Sequence, residues 1–140
     1  MFRKILVAFD GSEQSQTALK DALEYAKKAG ASVSVVYAAE SIPLPMSPTN
    51  SSFMIQEELE AMGELELKKA QFIAKKAGVK AKLISMKGHP VDVILKLAKK
   101  GGFDLVIVGA RGVGGVERLL LGSVSDSVVH HAHCAVLVVK

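Results

Sequence analysis

The sequence predicts one doubly wound α/β domain: a five-stranded parallel sheet with helices on both faces. Three observations predict it. Short apolar runs alternate with longer stretches of helical spacing along all 140 residues, the pattern of strands buried beneath crossover helices. The composition, 49% hydrophobic and 23% charged, is that of an ordinary globular chain long enough for a single sizeable core. No internal repeat or linker divides the chain, so one domain spans residues 1–140.

The elements follow in order. Lys4 to Phe9 is a compact apolar run that ends in the turn signal Asp10-Gly11-Ser12. From Ser12 to Ala29 the spacing is helical, with Ala18, Leu19, Ala22, Leu23 and Ala26 on one side and Gly30 as the stop. Ser32 to Ala38 is rich in strand formers. Ser41 to Ser52 carries three prolines, four serines and an asparagine, which predicts a long mobile loop. A second helix is expected from Phe53 to Ala77, with Ile55, Leu59, Met62, Ala70, Ile73 and Ala77 near helical spacing. Gly63 weakens its middle and Gly78 stops it. Val79, Ala81 and Leu83 alternate with Lys80 and Lys82, as in a strand with one wetter face. Val91 to Lys100 is a short helix closed by Gly101-Gly102. Leu105 to Val108 is the fourth strand, Val124 to Ala132 the last helix, and Ala135 to Val139 the fifth strand.

The bulk properties exclude several classes. The longest uncharged apolar runs are about six residues, far short of the ~20 that span a bilayer. Met1 to Ile5 leads straight into a strand, leaving no room for a cleavable signal. A single cysteine, Cys134, excludes an internal disulfide framework and suits a reducing cytoplasm. The net charge of +4 invites a nucleic-acid reading. However, the lysines pair at helix ends and outer faces (Lys27-Lys28, Lys68-Lys69, Lys75-Lys76, Lys99-Lys100), where they oppose the helix dipole. No aromatic residues interleave with them to stack bases. Neither nucleic acid nor a membrane is expected as a partner.

The chemistry concentrates after the fourth strand. Gly109-Ala110-Arg111-Gly112 is followed, nine residues on, by Gly122-Ser123. Glycines admit positive φ and close approach of a ligand, and the N–H groups at a helix start attract phosphate. In a doubly wound sheet the ligand sits beyond the carboxyl ends of the strands, where the winding reverses. With strands 1 and 4 flanking that point, Asp10 accepts from a ribose or base. Gly112 to Gly115 supply N–H groups, Ser123 adds a hydroxyl, and Arg111 pairs with a phosphate. Val116 to Leu121 would fold back as a flap. Blander readings stand beside these: Asp10-Gly11-Ser12 as a turn capping the first helix, Ser123 as a simple N-cap, and the glycines as aids to tight packing.

At these residues the chain resembles the ATP-binding branch of the universal stress protein family. Its mark is Gly-x2-Gly-x9-Gly-Ser/Thr, which Gly109, Gly112, Gly122 and Ser123 match. The opening Ile5-Leu6-Val7-Ala8-Phe9-Asp10-Gly11-Ser12 and the closing Val136-Leu137-Val138-Val139 are similar to the family as well. The resemblance implies strand order 3-2-1-4-5 and adenine and ribose near Ala8, Asp10 and Ala38. It implies phosphates held by Gly109, Ala110, Arg111, Gly112, Val113, Gly114, Gly115, Gly122, Ser123, Val124 and Ser125, usually with Mg2+ or Mn2+ on those phosphates. It also implies a homodimer through the fifth strand, and Ala135 to Val139 would otherwise be an apolar exposed edge. His133 and Ala135 depart from the family, which often has proline around this cysteine.

The expected function is therefore an ATP-binding stress-response or signalling switch in the cytoplasm, with the Ser41–Ser52 segment and the Val113–Leu121 flap as candidate movers. A slow ATP hydrolase and a nucleotide-free interaction module on the same fold are the alternatives. No Ser-Gly-Gly-x-Asp-Ser loop is present, and Glu117 and Asp126 are the acids nearest the phosphate loop. His130, His131 and His133 beside Cys134 are read as helix-end histidines rather than metal ligands, and Cys134 as a buried thiol rather than a nucleophile. His89 marks the turn into the third helix. Met46, Met54 and Met62 are read as gap filling in the core, with a soft contact surface as the other option.

Overall fold

The computed structural model describes residues 1–40, 47, 49–110 and 121–140. Strands and helices alternate as β1 (Lys4–Ala8), α1 (Glu13–Ala29), β2 (Ser32–Ala39), α2 (Asn50–Ala77), β3 (Ala81–Lys87), α3 (Pro90–Lys100), β4 (Leu105–Gly109), α4 (Ser123–His131) and β5 (Ala135–Val139). The five strands form one sheet in the order β3-β2-β1-β4-β5, every pair parallel. The sheet therefore winds one way from β1 to β3 and the other way from β4 to β5, and the reversal falls between β1 and β4.

Side-chain alternation along the strands divides the core in two. Ile5, Val7, Val33, Val35, Leu105 and Ile107 face α1 and α2, where Ala18, Leu19, Leu23, Ala70 and Ala74 meet them. Leu6, Val36, Val106 and Val108 point to the other side, against Val93, Ile94 and Ala98 of α3 and Val128 of α4. The central strands are apolar on both faces because both are covered, hence their unbroken hydrophobic runs.

Local chemistry sets the helix limits. The Ser12 hydroxyl accepts the Ser15 N–H at 3.2 Å and starts α1. His89 plays the same part for α3, its Nδ1 accepting the Val91 N–H at 3.3 Å, and Pro90 stands in the first turn, where a missing N–H costs nothing. Helix α2 begins at Asn50, three residues before the expected start. The Thr49 hydroxyl accepts the Ser52 N–H at 3.3 Å, so Asn50, Ser51 and Ser52 belong to a capped first turn and not to the loop. Residues 41–46 and 48 of the expected loop lie outside the described residues.

Two readings of α2 change in the structure. Gly63 costs helix propensity but has a packing role: a Cβ there would stand 2.9 Å from the Tyr37 ring, so the glycine lets the tyrosine of β2 pack against the helix. Ile55, Met54 and Met62 are not core, because 49%, 60% and 57% of their surfaces are exposed. The buried residues of α2 are Gly63, Ala70 and Ala74. One reason is length. At 28 residues the helix is about 42 Å long, while the strand that follows it runs about 23 Å. The first turns of α2 reach past the strand, and Met62, beside buried Gly63, is exposed because it lies off the face that meets Tyr37. Met46 lies outside the described residues.

The two edges of the sheet differ. β3 presents exposed Lys82, Ser85 and Lys87, and the Lys87 ammonium meets Glu60 of α2 at 2.6 Å. β5 carries no charge, and Leu137 on it is 46% exposed.

Candidate functional site

The carboxyl ends of β1 and β4 lie side by side at the winding reversal. Gly109 closes β4 against the first turn of α1. A Cβ on it would stand 2.8 Å from the Gln14 Cβ and 3.1 Å from the Ser15 nitrogen, so at this position the packing reading of the glycine holds as well. Beyond it the chain is pinned by short hydrogen bonds. Ala110 N–H donates to the Val139 carbonyl at 2.7 Å, and Gly122 N–H donates to the Ala110 carbonyl at 2.6 Å. The buried Ser125 hydroxyl lies 2.7 Å from that same carbonyl and 3.1 Å from the Gly122 carbonyl. The start of α4 is thus strapped to the end of β4. Ser125, expected on the phosphates, has its hydroxyl engaged inside the protein at this junction.

Helix α4 starts differently from α1, α2 and α3. Their caps are Ser12, Thr49 and His89, each accepting an N–H through its side chain. The cap of α4 is Gly122, with φ −65° and ψ 161° and no side-chain cap bond. The helix therefore starts with amides that no capping side chain among the described residues neutralises, and with a partial positive charge. Ser123 is exposed in this first turn, and Val124 is half-buried against the second core. Arg111, Gly112, Val113, Gly114 and Gly115, and the flap residues 116–120, lie outside the described residues.

Across the reversal, Phe9 N–H donates to the Val36 carbonyl at 2.9 Å and leads to exposed Asp10. The Asp10 carboxylate accepts the Ser12 N–H at 2.9 Å. The turn reading of Asp10-Gly11-Ser12 is therefore present in the structure, and the site places the same carboxylate at the strand end. Ala8 and Ala38 are half-buried at the ends of β1 and β2, with Ala8 in register with Val36.

The structure adds two residues the sequence reading missed. Gly11 has φ 86°, and a Cβ on it would run into the Glu66 carboxylate of α2. Glu66 Oε1 pairs with Lys69 at 3.0 Å. Its Oε2 is buried and has no hydrogen-bond partner among the described residues, an acceptor beside the β1–α1 turn with unmet capacity. Tyr37 lies close by. Its phenol is pushed above the ordinary range by burial first, then by the carboxylates of Glu66, Asp10 and Glu40. Only a fold that lays α2 across the end of β2 brings these groups together, and their sequence separation hides them.

The sign of the pH effect follows. The tyrosine ionises less readily in the folded state than in the unfolded chain, so its contribution to stability is complete below its unfolded value. That contribution is lost as the pH rises through the folded value. Tyr37→Phe is expected to flatten the alkaline limb of stability against pH, measured by urea unfolding from neutrality into the alkaline range. An unchanged limb would exclude this coupling.

The histidines at the end of α4 serve its last turn. His130 Nδ1 lies 2.8 Å from the Asp126 carbonyl and His131 Nδ1 lies 2.9 Å from the Ser127 carbonyl. Among the described residues, no group of three or more His, Cys, Asp or Glu side chains is placed to hold a metal ion. Cys134 is half-buried, and burial, with Asp104 second, pushes its thiol above the ordinary range. It is held protonated and poorly nucleophilic. No helix among the described residues is long and apolar enough to cross a membrane.

Comparison with known proteins bears on this geometry. The family model described as the Universal stress protein family matches residues 1–140. The universal stress protein MJ0531 of Methanocaldococcus jannaschii is 38% identical over 141 residues, covering 100% of this chain and 83% of that protein. Among solved structures, universal stress protein UspA from Lactobacillus plantarum superposes with a TM-score of 0.82 at 28% identity, covering 99% of this chain and 98% of the other. A universal stress protein solved in complex with cAMP has a TM-score of 0.76 at 27% identity, covering 99% and 97%.

Proposed function

The chain belongs to the universal stress protein family, and from that premise we propose that it binds ATP at the β1/β4 reversal and works as a nucleotide-dependent switch in the cytoplasm. One observation carries the reading. The start of α4 is capped by a glycine without a side chain and is strapped to the end of β4, which leaves a fixed, positively polarised amide terminus at the one point where a doubly wound sheet opens a crevice.

The residues fit the ligand. Ser123 and Val124 meet the phosphates with N–H groups and the Ser123 hydroxyl, while Gly122, whose N–H is held by the Ala110 carbonyl, borders the phosphates without a side chain to block them. Gly109 and Ala110 position the loop in which Arg111 to Gly115 supply further donors. Asp10 and Oε2 of Glu66, which has no partner among the described residues, are acceptors for ribose hydroxyls, and Ala8 and Ala38 leave room for a flat base. Mg2+ or Mn2+ would be held through the phosphates and would offset their charge. The relative solved with cAMP supports an adenine nucleotide. A homodimer through Ala135–Val139 completes the proposal, because an uncharged edge strand gains from pairing with its copy.

Release of ligand from freshly purified protein by denaturation, followed by identification of its base, tests the reading directly, together with calorimetric titration of ATP, AMP and cAMP. Adenine in the released fraction, and ATP binding that magnesium strengthens, are the expected results. Protein free of adenine that ignores all three nucleotides overturns the proposal.

A further inference from the structure

The outward side of α2 carries a seam that nothing in the chain's described residues covers. Ile55, Glu58, Met62, Leu65, Lys69 and Phe72 follow one another at steps of three, four, three, four and three. That is the spacing of the inward positions of a two-stranded coiled coil. These positions lie on the side of α2 turned away from Gly63, Ala70 and Ala74, the residues buried beneath it. Here Ile55, Met62, Leu65 and Phe72 are 49%, 57%, 58% and 68% exposed, and Glu58 and Lys69 are exposed too. Four large apolar side chains in one line on an exposed helix are the mark of an interface.

The charges say what covers them. Glu57, Glu58, Glu60, Glu64 and Glu66 occupy the first part of α2, and Lys68, Lys69, Lys75 and Lys76 the last part. A second α2 laid parallel would set Glu58 on Glu58 and Lys69 on Lys69. Laid antiparallel about a two-fold axis between Gly63 and Glu64, the layers become Ile55 on Phe72, Glu58 on Lys69, and Met62 on Leu65, each occurring twice. The apolar layers then match in order and every charged layer joins opposite signs. Lys69 already meets Glu66 at 3.0 Å, and an ammonium has donors enough for both carboxylates. The groove beside the seam agrees. A cleft of about 880 Å³ runs between α1 and α2, with Lys20, Lys27, Lys68 and Lys76 around the apolar Leu23 and Phe72, a basic trough for the acidic half of a partner helix.

We propose that α2 is a self-association surface, on which a second copy of this chain docks antiparallel along Ile55–Phe72. This contact is separate from the β5 edge and does not depend on nucleotide. A chain using both surfaces builds assemblies larger than a dimer, closed if the two axes permit it.

Reversing one charge tests the pairing without touching the core. Glu58→Lys alone places like charges in two symmetry-related layers, as does Lys69→Glu alone. Each is expected to weaken self-association on the order of a hundred-fold and to halve the mass seen by sedimentation velocity over a concentration series. The double variant carrying both reversals is expected to regain the wild-type mass, and so is an equimolar mixture of the two single variants. Circular dichroism checks that each variant is folded, as expected of exposed positions. A wild type that sediments like both single variants overturns the proposal, whether all are monomers or all associate elsewhere. A double variant or mixture that stays at half mass overturns it as well.

Discussion

Leu6→Ala is expected to lower the unfolding free energy by about 2–5 kcal/mol, the range for truncating a fully buried leucine, read as a shift in the urea midpoint at unchanged slope. Leu6 has no solvent-accessible surface. It sits in β1, the middle strand of the five, and packs in the core formed with α3 and α4. Strands on both sides and helices above hold the surrounding atoms in place, so the cavity cannot collapse and the cost belongs near the top of the range. A loss below about 1 kcal/mol, the value of one buried methylene, would mean that this core repacks and that the sheet is less constrained than its hydrogen bonds imply.

Gly122→Val is expected to weaken ATP binding by about a hundred-fold, equivalent to about 2.7 kcal/mol, while the unfolding midpoint barely moves. The backbone of Gly122 has φ −65° and ψ 161°, a conformation any residue adopts, so valine is not strained there. Its amide and carbonyl bonds to Ala110 and Asp126 need no side chain and persist. The branched side chain instead occupies the approach to the first amides of α4. Ser123→Ala removes one hydroxyl and is expected to cost far less. Calorimetric titration of both variants against wild type decides the matter, and equal affinity in Gly122→Val would remove α4 from the site.

The fold was open to reading because both faces of the sheet are covered. Leu105 to Val108 are apolar throughout, since every side chain enters one core or the other. The spacing from Ala18 to Ala26 likewise marks the face of α1 that is buried. The extent of α2 was harder to read because serine and asparagine suit a loop and a first helical turn equally; Thr49 decides, through one hydrogen bond. Periodicity identified Ile55 and Met62 as one helical face, but periodicity cannot say what lies opposite, and here it is solvent. At the site, the glycine pattern pointed to the β4–α4 junction. Glu66 and Tyr37 reach Gly11 and Asp10 only through tertiary packing. The Ser125 hydroxyl bond to Ala110 spans fifteen residues, a distance over which local pattern carries no information.

The unlike margins of the sheet limit how it can grow. One border is guarded by ammonium groups at Lys82 and Lys87, and the opposite border is bare from Ala135 to Val139. Backbone-to-backbone addition is therefore open on a single side. Two molecules that join there consume the bare margin of each and leave only guarded ones outward, so the ladder stops at ten rungs and does not run on into a fibre.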